Sequence, residues 1–488
     1  MRTYQYEVKK ELAVIGDYDV IVVGAGLGGI CASLSAARLG AKVVLVERNS
    51  ILGGQAAEIN TWGLDGFVDK YGKMCVAGIP WEILKKTVAL GNSDPFWSRI
   101  DMDVLQNEGL ASALRKMDVP EYLPYVDAKT YMKPLNDQYI DVNDYRAVAT
   151  TLLEEANVDV LLGMPVVDAL VENNKVQGIV VQGEFEKFAI FGKSVVDTSQ
   201  NAVVCAHAGS QMKFTQAYMG SLPRVTGIDI QRVIDYIRQT DEEWLVRPMV
   251  DKRADADELE SLVAKGYPLA LQGFTKALDI AIADNPAFET LKENEGLNQV
   301  FFYEQDGKGA YWIFSKNFRH VDTTDPLAFS KGILTGRKQQ RLTHEFFKKY
   351  VPGFENAMLL DPYANISKAY EMSLESSDFT RYAVTKEELE TGKCAHPLPL
   401  IKVLGHPIMG TCLTGWWIPL PSLVPKNLEG ILVTGKAACR KIHYIATCAL
   451  VGQSAGAVAA TSVLENVALM DCPIDKVQSN LQNQGVLY

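Results

Sequence analysis

The sequence feature that most constrains the fold is an apolar run that leads into a glycine-rich turn near the start of the chain. Val20–Val23 has the composition of a buried strand, and glycines follow it at positions 24, 26 and 29. Gly24 permits a tight turn, Gly26 lets a phosphate group approach the backbone, and Gly29 lets the next helix pack close to the strand. We predict that this helix spans Ile30–Leu39 and directs the positive end of its dipole toward a diphosphate.

A second apolar run that ends in an acidic residue extends this pattern. Lys42–Val46 predicts the second strand, and Glu47 follows it, 18 positions after Gly29. A carboxylate at about this distance typically accepts hydrogen bonds from the ribose hydroxyls of a bound dinucleotide. Strand, turn, helix, strand and acid in this order favour dinucleotide binding over a turn of the same shape that binds no ligand.

The composition argues against several classes of protein. The 488 residues are 48% hydrophobic and 22% charged, enough for about two to four domains with large cores. A net charge of -11 without a long basic run argues against nucleic acid or an anionic membrane as a partner. We expect no apolar run to approach the roughly 20 residues of a membrane span. Residues 1–17 lack the apolar core of a signal peptide.

The cysteine spacing and the absence of short catalytic motifs argue against several further kinds of site. The eight cysteines form no CxxC pair, which argues against a disulfide scaffold, a structural zinc site and a redox-active CxxC motif. The patterns HExxH, GxSxG and the P-loop are also absent from the sequence. We therefore predict no metal site and a reducing, cytoplasmic location, and we interpret the cysteines as small buried residues.

Changes in composition divide the chain into a discontinuous first domain and an inserted second domain. A helix is predicted over 143–156 with Asn143 as its N-cap, and Asn173–Asn174 predicts a hairpin turn. Short strands are predicted at 158–162, 166–171, 176–181, 185–191, 194–198 and 431–435, and a small-residue helix at 452–460. We assign residues 1–75, 140–209 and 396–488 to the first domain, 76–139 to a cap or excursion, and the more charged and aromatic 210–395 to a substrate domain.

Three features favour FAD over a nicotinamide cofactor. The glycine-rich turn lies close to the amino terminus, and Gly53–Gly54 follows Glu47 by six residues. A hairpin-rich region ends in the short strand Val195–Thr198. A late strand, Ile431–Gly435, leads to a glycine-started helix. This order of elements resembles the glutathione-reductase-type FAD fold.

Several longer segments sharpen the resemblance. They are Gly78–Pro80, Lys348–Ala357, Ile418–Pro425, Leu432–Lys436 and Gly452–Gly456. In these segments the chain resembles a bacterial FAD-dependent oxidoreductase family that is related to fumarate-reductase flavoproteins. The resemblance covers nearly the whole chain. It implies an α/β fold in which a Rossmann-like FAD-binding domain, with a parallel sheet, helices and a β-meander, carries an inserted α+β substrate domain.

The resemblance also implies where FAD is bound. The glycine-rich turn would take the diphosphate, Glu47 the ribose, and Arg48 would lie beside the adenosine. Val167 would border the adenine through its backbone, and the helix that starts near Gly452 would direct its positive end toward the flavin. The implied cofactor-binding residues are Gly24, Ala25, Gly26, Gly28, Gly29, Glu47, Arg48, Gly53, Gly54, Gln55, Val167, Thr198, Gly435, Lys436 and Gly452.

Several positions depart from the family pattern. The usual Thr-Gly-Asp after the second short strand is replaced by the segment Thr198–Asn201. Leu374–Ser377 stands where relatives often carry arginines, and His443 stands where an arginine usually precedes the last helix. Because such arginines would orient an anionic substrate, their absence favours a neutral or aromatic substrate over a dicarboxylate.

A flavin needs the protein to position the substrate and to supply a proton donor or acceptor. His406, which precedes the strands near the flavin, and His443 with Tyr444, which precede the last helix, are the candidates for this role. For each histidine, a place in loop packing is the alternative. Trp416–Trp417 is interpreted either as the wall of an aromatic pocket or as core packing.

No second GxGxxG occurs in the sequence, so the electron partner would be the substrate, oxygen or a separate redox protein. The primary hypothesis is hydride transfer between flavin N5 and a small organic substrate. One alternative is a hydratase or isomerase that retains FAD without net redox change. Another is an FAD-carrying subunit that needs partner proteins. Assembly into a homo-oligomer is a further possibility that the sequence does not decide.

Overall fold

The structure is a computed structural model of the whole chain. It describes residues 11–58, 64–68, 73–93, 99–117, 137–138, 140–199, 201–210, 217–221, 224–240, 245–247, 252–253, 256–264, 270–293, 302–304, 311–313, 315–322, 325–360, 367–368, 379–404, 415–435, 438, 442 and 444–488. The architecture below refers to these residues.

Strands and helices alternate in the first part of the chain and are short and mixed in its middle. The described strands are β1 Ala13–Val23, β2 Val43–Val46, β3 Leu64–Asp65, β4 Asp137–Gln138, β5 Asp159–Leu161, β6 Val166–Glu172, β7 Lys175–Gln182, β8 Lys187–Asp197, β9 Ala217–Ser221, β10 Arg224–Thr226, β11 Leu245–Arg247, β12 Lys252–Arg253, β13 Ala270–Gln272, β14 Phe302–Glu304, β15 Tyr311–Ile313, β16 Ser315–Val321, β17 Met358–Leu359, β18 Ser367–Lys368, β19 Pro399–Val403, β20 Trp416–Pro419 and β21 Ile431–Val433.

The described helices complete the order of elements. They are α1 Leu27–Arg38, α2 Gly54–Glu58, α3 Ile79–Ala89, α4 Met102–Glu108, α5 Leu110–Lys116, α6 Val142–Glu155, α7 Val203–His207, α8 Ile230–Gln239, α9 Ala256–Ala264, α10 Thr275–Asp284, α11 Glu289–Glu293, α12 Pro326–Tyr350, α13 Lys386–Thr391, α14 Ile445–Glu465 and α15 Ile474–Asn483. Short 3-10 turns occur at Pro286–Phe288, Leu420–Leu423 and Leu469–Asp471.

The main sheet joins a parallel half to an antiparallel meander. Its strand order is β5-β2-β1-β8-β7-β6, and β21 also pairs with β8. Strands β5, β2, β1, β8 and β21 run parallel, whereas β6, β7 and β8 form antiparallel pairs. This mixed sheet, covered by helices, confirms the predicted Rossmann-like α/β class with a β-meander.

Strand β8 belongs to both halves of the sheet. Its first half pairs with β7, and its last three residues pair with β21, while β1 runs along its other side. The two predicted strands at 185–191 and 194–198 are therefore one continuous strand. Gly192 lies inside this strand and pairs with Tyr18 of β1, and a side chain at Gly192 would come within 2.7 Å of Ile21 on that neighbouring strand.

Helices α1 and α14 pack against each other with their backbones almost in contact. A Cβ atom on Gly452 would lie 2.1 Å from the carbonyl oxygen of Gly28, and one on Gly456 would lie 2.1 Å from that of Ala32. Both contact positions advance by four residues in the same direction, so the helices are parallel and their amino termini lie at the same end. Small residues on both helices permit this approach.

The position of Gly452 corrects the sequence prediction of a helix that starts near this residue. Helix α14 begins at Ile445, and Gly452 lies in its interior. The start is poorly marked in the sequence because Tyr444 at the N-cap position makes no side-chain capping hydrogen bond. Gly452 therefore serves the contact between two helices, and residues near Ile445 form the positive end of α14.

Among the described helices, α14 is also long and apolar enough to cross a membrane. It has 21 residues and a mean hydropathy of 1.4 over its most apolar window, which corrects the expectation that no apolar run approaches this length. However, 83% of that window is buried inside the protein. A helix buried in the core of a globular domain can match a membrane span in length and composition, so these two properties alone do not identify α14 as a span.

Two local predictions also have clear outcomes. Asn173 and Asn174 have φ angles of 49° and 63° and join β6 to β7, which confirms the predicted hairpin turn. The predicted N-cap at Asn143 is wrong. Asp141 caps helix α6 and accepts hydrogen bonds from the backbone amides of Asn143 and Asp144.

A second hydrophobic core lies in the middle of the chain and is built from aromatic rings. Its buried residues fall between Val225 and Ala357, and the long helix α12 contributes Phe346 and Phe347 to it. Phe347 packs against three other rings, at centroid distances of 5.0 to 5.3 Å from Phe346 and Phe274 and 4.8 Å from Phe354. Buried residues of α3, α4 and α5 belong to the first core. The predicted domain limits stay a prediction.

Candidate functional site

The glycine-rich turn after β1 contains glycines of two kinds. Gly24 has a φ angle of +99°, and a Cβ atom on Gly29 would lie 1.8 Å from the Gly24 carbonyl oxygen, so the fold itself requires both. Gly26 has an ordinary φ of −69°, and the nearest atom to a Cβ there is 3.9 Å away. Because packing alone would tolerate a side chain at Gly26, this glycine indicates close approach of a ligand to the backbone.

A second glycine pair lies directly against this turn. The Gly53 amide donates a hydrogen bond of 2.8 Å to the carbonyl oxygen of Ala25. A Cβ atom on Gly54 would lie 2.7 Å from the Gly26 Cα. The two segments therefore meet backbone to backbone and form a surface without side chains.

Gly53 packs against a buried tyrosine, Tyr145, which the sequence analysis did not identify. The ring of Tyr145 would lie 2.8 Å from a Cβ atom on Gly53. Its hydroxyl is buried without a hydrogen-bond partner, and burial raises the pKa of this group. Gln55 follows as the second residue of α2.

Glu47 lies at the carboxyl end of β2, beside the turn, and its side chain is buried. One carboxylate oxygen accepts a 2.7 Å hydrogen bond from the Ala25 amide, and the other accepts one of 2.9 Å from the Asn49 amide. Each oxygen can accept a further bond, so the carboxylate can still receive ribose hydroxyls. The neighbouring Arg48 is exposed.

The segment that follows β8 supports the turn from behind. The Thr198 hydroxyl lies 2.8 Å from the Val23 carbonyl oxygen and 2.7 Å from that of Gly24, to which it donates. Asp197 is fully buried beside it. Burial raises the pKa of the Asp197 carboxyl to about 6, although hydrogen bonds from Ser199 and the Val204 amide act in the opposite direction.

The β-meander contributes one candidate backbone position. Val167 lies at a register shift between the paired residues Val166 and Asp168 of β6. Such a bulge takes a residue out of the regular hydrogen-bond ladder. The connection before β6 is held near Glu47, because the Met164 amide donates to the Glu47 carbonyl oxygen at 2.9 Å.

The amino terminus of α14 lies near the amino terminus of α1. A Cβ atom on Gly28, in the first turn of α1, would lie 3.2 Å from the Cys448 carbonyl oxygen. A Cβ atom on Gly435, which follows β21, would lie 4.0 Å from the Cys448 sulfur. Tyr444, a candidate proton donor, is buried at the N-cap position of α14.

Several candidate residues lie outside the described residues. They are Lys436, His406, His443 and the segment Leu374–Ser377. Trp416 and Trp417 have different surroundings, because neighbouring residues of a strand point to opposite faces of the sheet. Trp416 is buried in the first core, which favours the packing interpretation, and Trp417 lies beside Tyr488 at a centroid distance of 6.1 Å. Within the described residues, no three potential metal ligands of the types His, Cys, Asp and Glu cluster together.

Comparison with known proteins gives one family match and several distant structural neighbours. The sequence model of the family described as FAD dependent oxidoreductase matches residues 19–369 and 409–481. No curated protein matches the chain.

Three similar solved structures illustrate the neighbours. A geranylgeranyl bacteriochlorophyll reductase-like protein from Thermoplasma acidophilum is 15% identical, over 96% of this chain and 83% of its own, with a TM-score of 0.41. GidA from Aquifex aeolicus is 15% identical, over 92% and 64%, with a TM-score of 0.45. The myxobacterial chondrochloren halogenase CndH is 12% identical, over 96% and 79%, with a TM-score of 0.43. At these values the likeness carries no argument about activity.

Proposed function

The chain belongs to the FAD-dependent oxidoreductase family, whose cofactor is FAD, and from this premise we propose that it transfers a hydride between the flavin and a small organic substrate. When bound, the flavin accepts or donates the hydride at N5. The chain's own residues bind the cofactor, orient the substrate and move the accompanying proton. The observation that carries the cofactor site is Gly26, a glycine that the packing of the protein does not require, and the family match supports the redox chemistry.

In this proposal the turn between Gly24 and Gly29 binds the diphosphate. The first amides of α1 have no partner within the helix, because the first four N–H groups of any α-helix lie before its hydrogen-bond ladder. They form an anion site at the positive end of the helix. The open side of Gly26, next to Gly54, lets phosphate oxygens reach these amides. Gly53, Gly54 and Gln55 would continue this surface along the ribityl chain.

Glu47 is proposed to bind the adenosine ribose. Its carboxylate is already oriented by the amides of Ala25 and Asn49, so accepting two hydroxyl groups requires little rearrangement. The register shift at Val167 leaves a backbone position suited to the adenine edge, and the exposed Arg48 can lie beside the same ring system.

Helix α14 is proposed to stabilise negative charge on the flavin. Because α1 and α14 are parallel and touch at Gly28, their positive ends lie at one edge of the sheet. Each end is equivalent to about half a positive charge. One end would face the diphosphate and the other the flavin, with Gly435 and Lys436 in the adjoining connection.

The proposed substrate is neutral or aromatic, and the support for this comes from the sequence. The residues Leu374–Ser377 and His443 replace the arginines that would bind a dicarboxylate in relatives. His443 and Tyr444, directly before α14, are the proposed proton donor and acceptor, and His406 is a second candidate. Tyr444 is buried, which suits a group that acts away from bulk water.

The proposal is tested by adding substrates to the purified protein without oxygen. Neutral alcohols, aromatic compounds and dicarboxylates are added in turn while the visible flavin absorbance is recorded. We expect a neutral or aromatic compound to bleach the flavin and dicarboxylates to leave it unchanged. Turnover without bleaching would replace the proposal with a hydratase or isomerase activity. Bleaching by dicarboxylates alone would contradict the proposed substrate class.

The proposed proton transfer is tested with His443→Ala. We expect slower flavin reduction by the substrate found above, by about 100-fold, with FAD still bound. His207→Ala is the matched control, because His207 is exposed on helix α7. Equal reduction rates for both variants would remove His443 from the mechanism.

A further inference from the structure

Behind the glycine-rich turn, the segment Asp197–Ser199 lies at the end of β8 and makes its side-chain hydrogen bonds to the turn through Thr198. The Thr198 hydroxyl lies within 2.8 Å of the carbonyl oxygens of Val23 and Gly24. A Cβ atom on Gly29 would come within 2.6 Å of the same hydroxyl. The hydroxyl therefore fills the space behind the turn and binds its backbone.

The peptide between Gly24 and Ala25 is held from both sides. Its carbonyl oxygen accepts a hydrogen bond from Thr198, and its amide donates to the Glu47 carboxylate. A rotation of this peptide would break both bonds. Its orientation matters because Gly24 begins the turn that leads to the first amides of α1. Thr198 and Glu47 thus fix the direction of the backbone in the proposed diphosphate site.

Asp197 in turn fixes the segment that carries Thr198. One carboxylate oxygen accepts hydrogen bonds from the Ser199 amide at 3.0 Å and its hydroxyl at 2.5 Å. The other accepts a bond of 2.8 Å from the Val204 amide. The Ser199 hydroxyl also accepts from the Val203 amide at 2.9 Å, so its own hydrogen is available to point at Asp197.

These groups need an acceptor at position 197. Every group that faces the carboxylate in these bonds is a donor, and an ionised carboxylate only accepts. Asparagine has the same shape but would turn an NH2 group toward one of the donors, which leaves a buried amide without an acceptor. The side chain is fully buried, so water cannot compensate for the lost bond.

We propose that Asp197 is a positioning residue for cofactor binding, which holds the Thr198 hydroxyl against the carbonyl oxygens of Val23 and Gly24 without touching the cofactor. The inference rests on the proposed function, since it assumes that the turn binds the diphosphate of FAD. It extends that function with two residues, Asp197 and Ser199, that the sequence prediction did not identify. It also gives Thr198 a role in supporting the site.

The test measures FAD affinity and apoprotein stability in the same variants. The variants are Asp197→Asn, Thr198→Val, Thr198→Ser and the double variant Asp197→Asn with Thr198→Val. FAD is titrated into each apoprotein, and Kd is read from the change in flavin fluorescence. Melting temperatures of the apoproteins are recorded alongside. Ser194→Ala is the matched control, because Ser194 lies on the same strand with a buried hydroxyl that has no hydrogen-bond partner.

We expect Asp197→Asn and Thr198→Val each to raise the Kd for FAD by about tenfold to a hundredfold, the size of one to two lost buried hydrogen bonds. Thr198→Ser keeps the hydroxyl and should stay within about threefold of the wild type. The Kd of the double variant should be no higher than the higher of the two single-variant Kd values, because both changes remove the same contact. Ser194→Ala should bind FAD like the wild type.

Two results would overturn the inference. If Asp197→Asn lowers the melting temperature but leaves the Kd unchanged, Asp197 only stabilises the connection to α7. If the effects of Asp197 and Thr198 multiply in the double variant, the two residues act independently. Should Asp197→Asn fail to fold, Thr198→Val against Thr198→Ser decides alone, and equal Kd values for these two would reject the inference. A wild-type protein that binds no FAD would instead reject the proposed function.

Discussion

The two hydrophobic cores of this chain contain helix contacts of opposite kinds. In the first, helices α1 and α14 and the turn after β1 meet through glycines, so that backbone touches backbone at Gly28 and Gly452. In the second, bulky rings such as Phe347 and Phe346 fill the space between elements. A contact without side chains fixes the backbone position closely, whereas ring packing fills volume. The first arrangement suits a region that must present amides to a cofactor.

The largest effect is expected from the aromatic core. Phe347→Ala removes a fully buried ring with three aromatic neighbours and should lower the free energy of unfolding by about 3 to 5 kcal/mol. Phe185→Ala is the control, because Phe185 is 88% exposed, and it should have almost no effect. Urea denaturation followed by circular dichroism measures both. If the cores are as distinct as described, the Phe347 variant still binds FAD at low denaturant, and loss of FAD there would contradict the comparison.

Adding a single methyl group to the glycine contact should have the next largest effect. Gly452→Ala brings a Cβ within 2.1 Å of the rigid Gly28 carbonyl, and such overpacking costs about 1 to 3 kcal/mol. The better helix propensity of alanine returns up to about 1 kcal/mol of this. The melting temperature of the apoprotein should fall. An unchanged melting temperature would mean that the two helices are further apart than described.

A methyl group at Gly26 should weaken FAD binding without lowering the stability of the fold. A Cβ there has 3.9 Å of space and an ordinary φ, so Gly26→Ala should leave the melting temperature of the apoprotein unchanged. The Kd for FAD should rise by about tenfold or more, because the methyl group occupies the space of the phosphate. Gly26→Ala and Gly452→Ala therefore form a matched pair. A Gly26 variant with lower stability and normal FAD affinity would reverse the assignment.

The sequence predicted the first core well because its signals are local. The strand Val20–Val23, the turn and the helix after it follow directly from an apolar run and spaced glycines, and the hairpin at Asn173–Asn174 follows from two residues that tolerate positive φ. One prediction was wrong because a glycine has a different role. The sequence predicts a helix start near Gly452, but this glycine lies inside α14 and permits its close packing against α1.

The support behind the candidate site could not be predicted from the sequence. Thr198 contacts Val23 and Gly24, which lie 175 and 174 positions earlier in the chain, and no local pattern specifies such a pair. Asp197 and Ser199 did carry a weak signal. A short polar run that follows a buried strand can form side-chain to backbone bonds at the next helix. Only the parallel pairing of β1 with β8 brings that run under the turn.

The smallest effect is expected at the surface of the first core. Arg38 of α1 donates two hydrogen bonds to the Glu82 carboxylate on α3, at 2.6 and 3.1 Å, and both side chains are about one-third exposed. Arg38→Ala should lower the free energy of unfolding by less than about 1 kcal/mol, since solvent and salt screen the pair. Unfolding at low and high salt measures this, and Glu82→Gln, which also removes the exposed pair with Lys86, should stay within the same limit. A larger loss that persists in salt would mean that charges hold α1 in place, and the backbone contact with α14 would no longer account for the position of the turn.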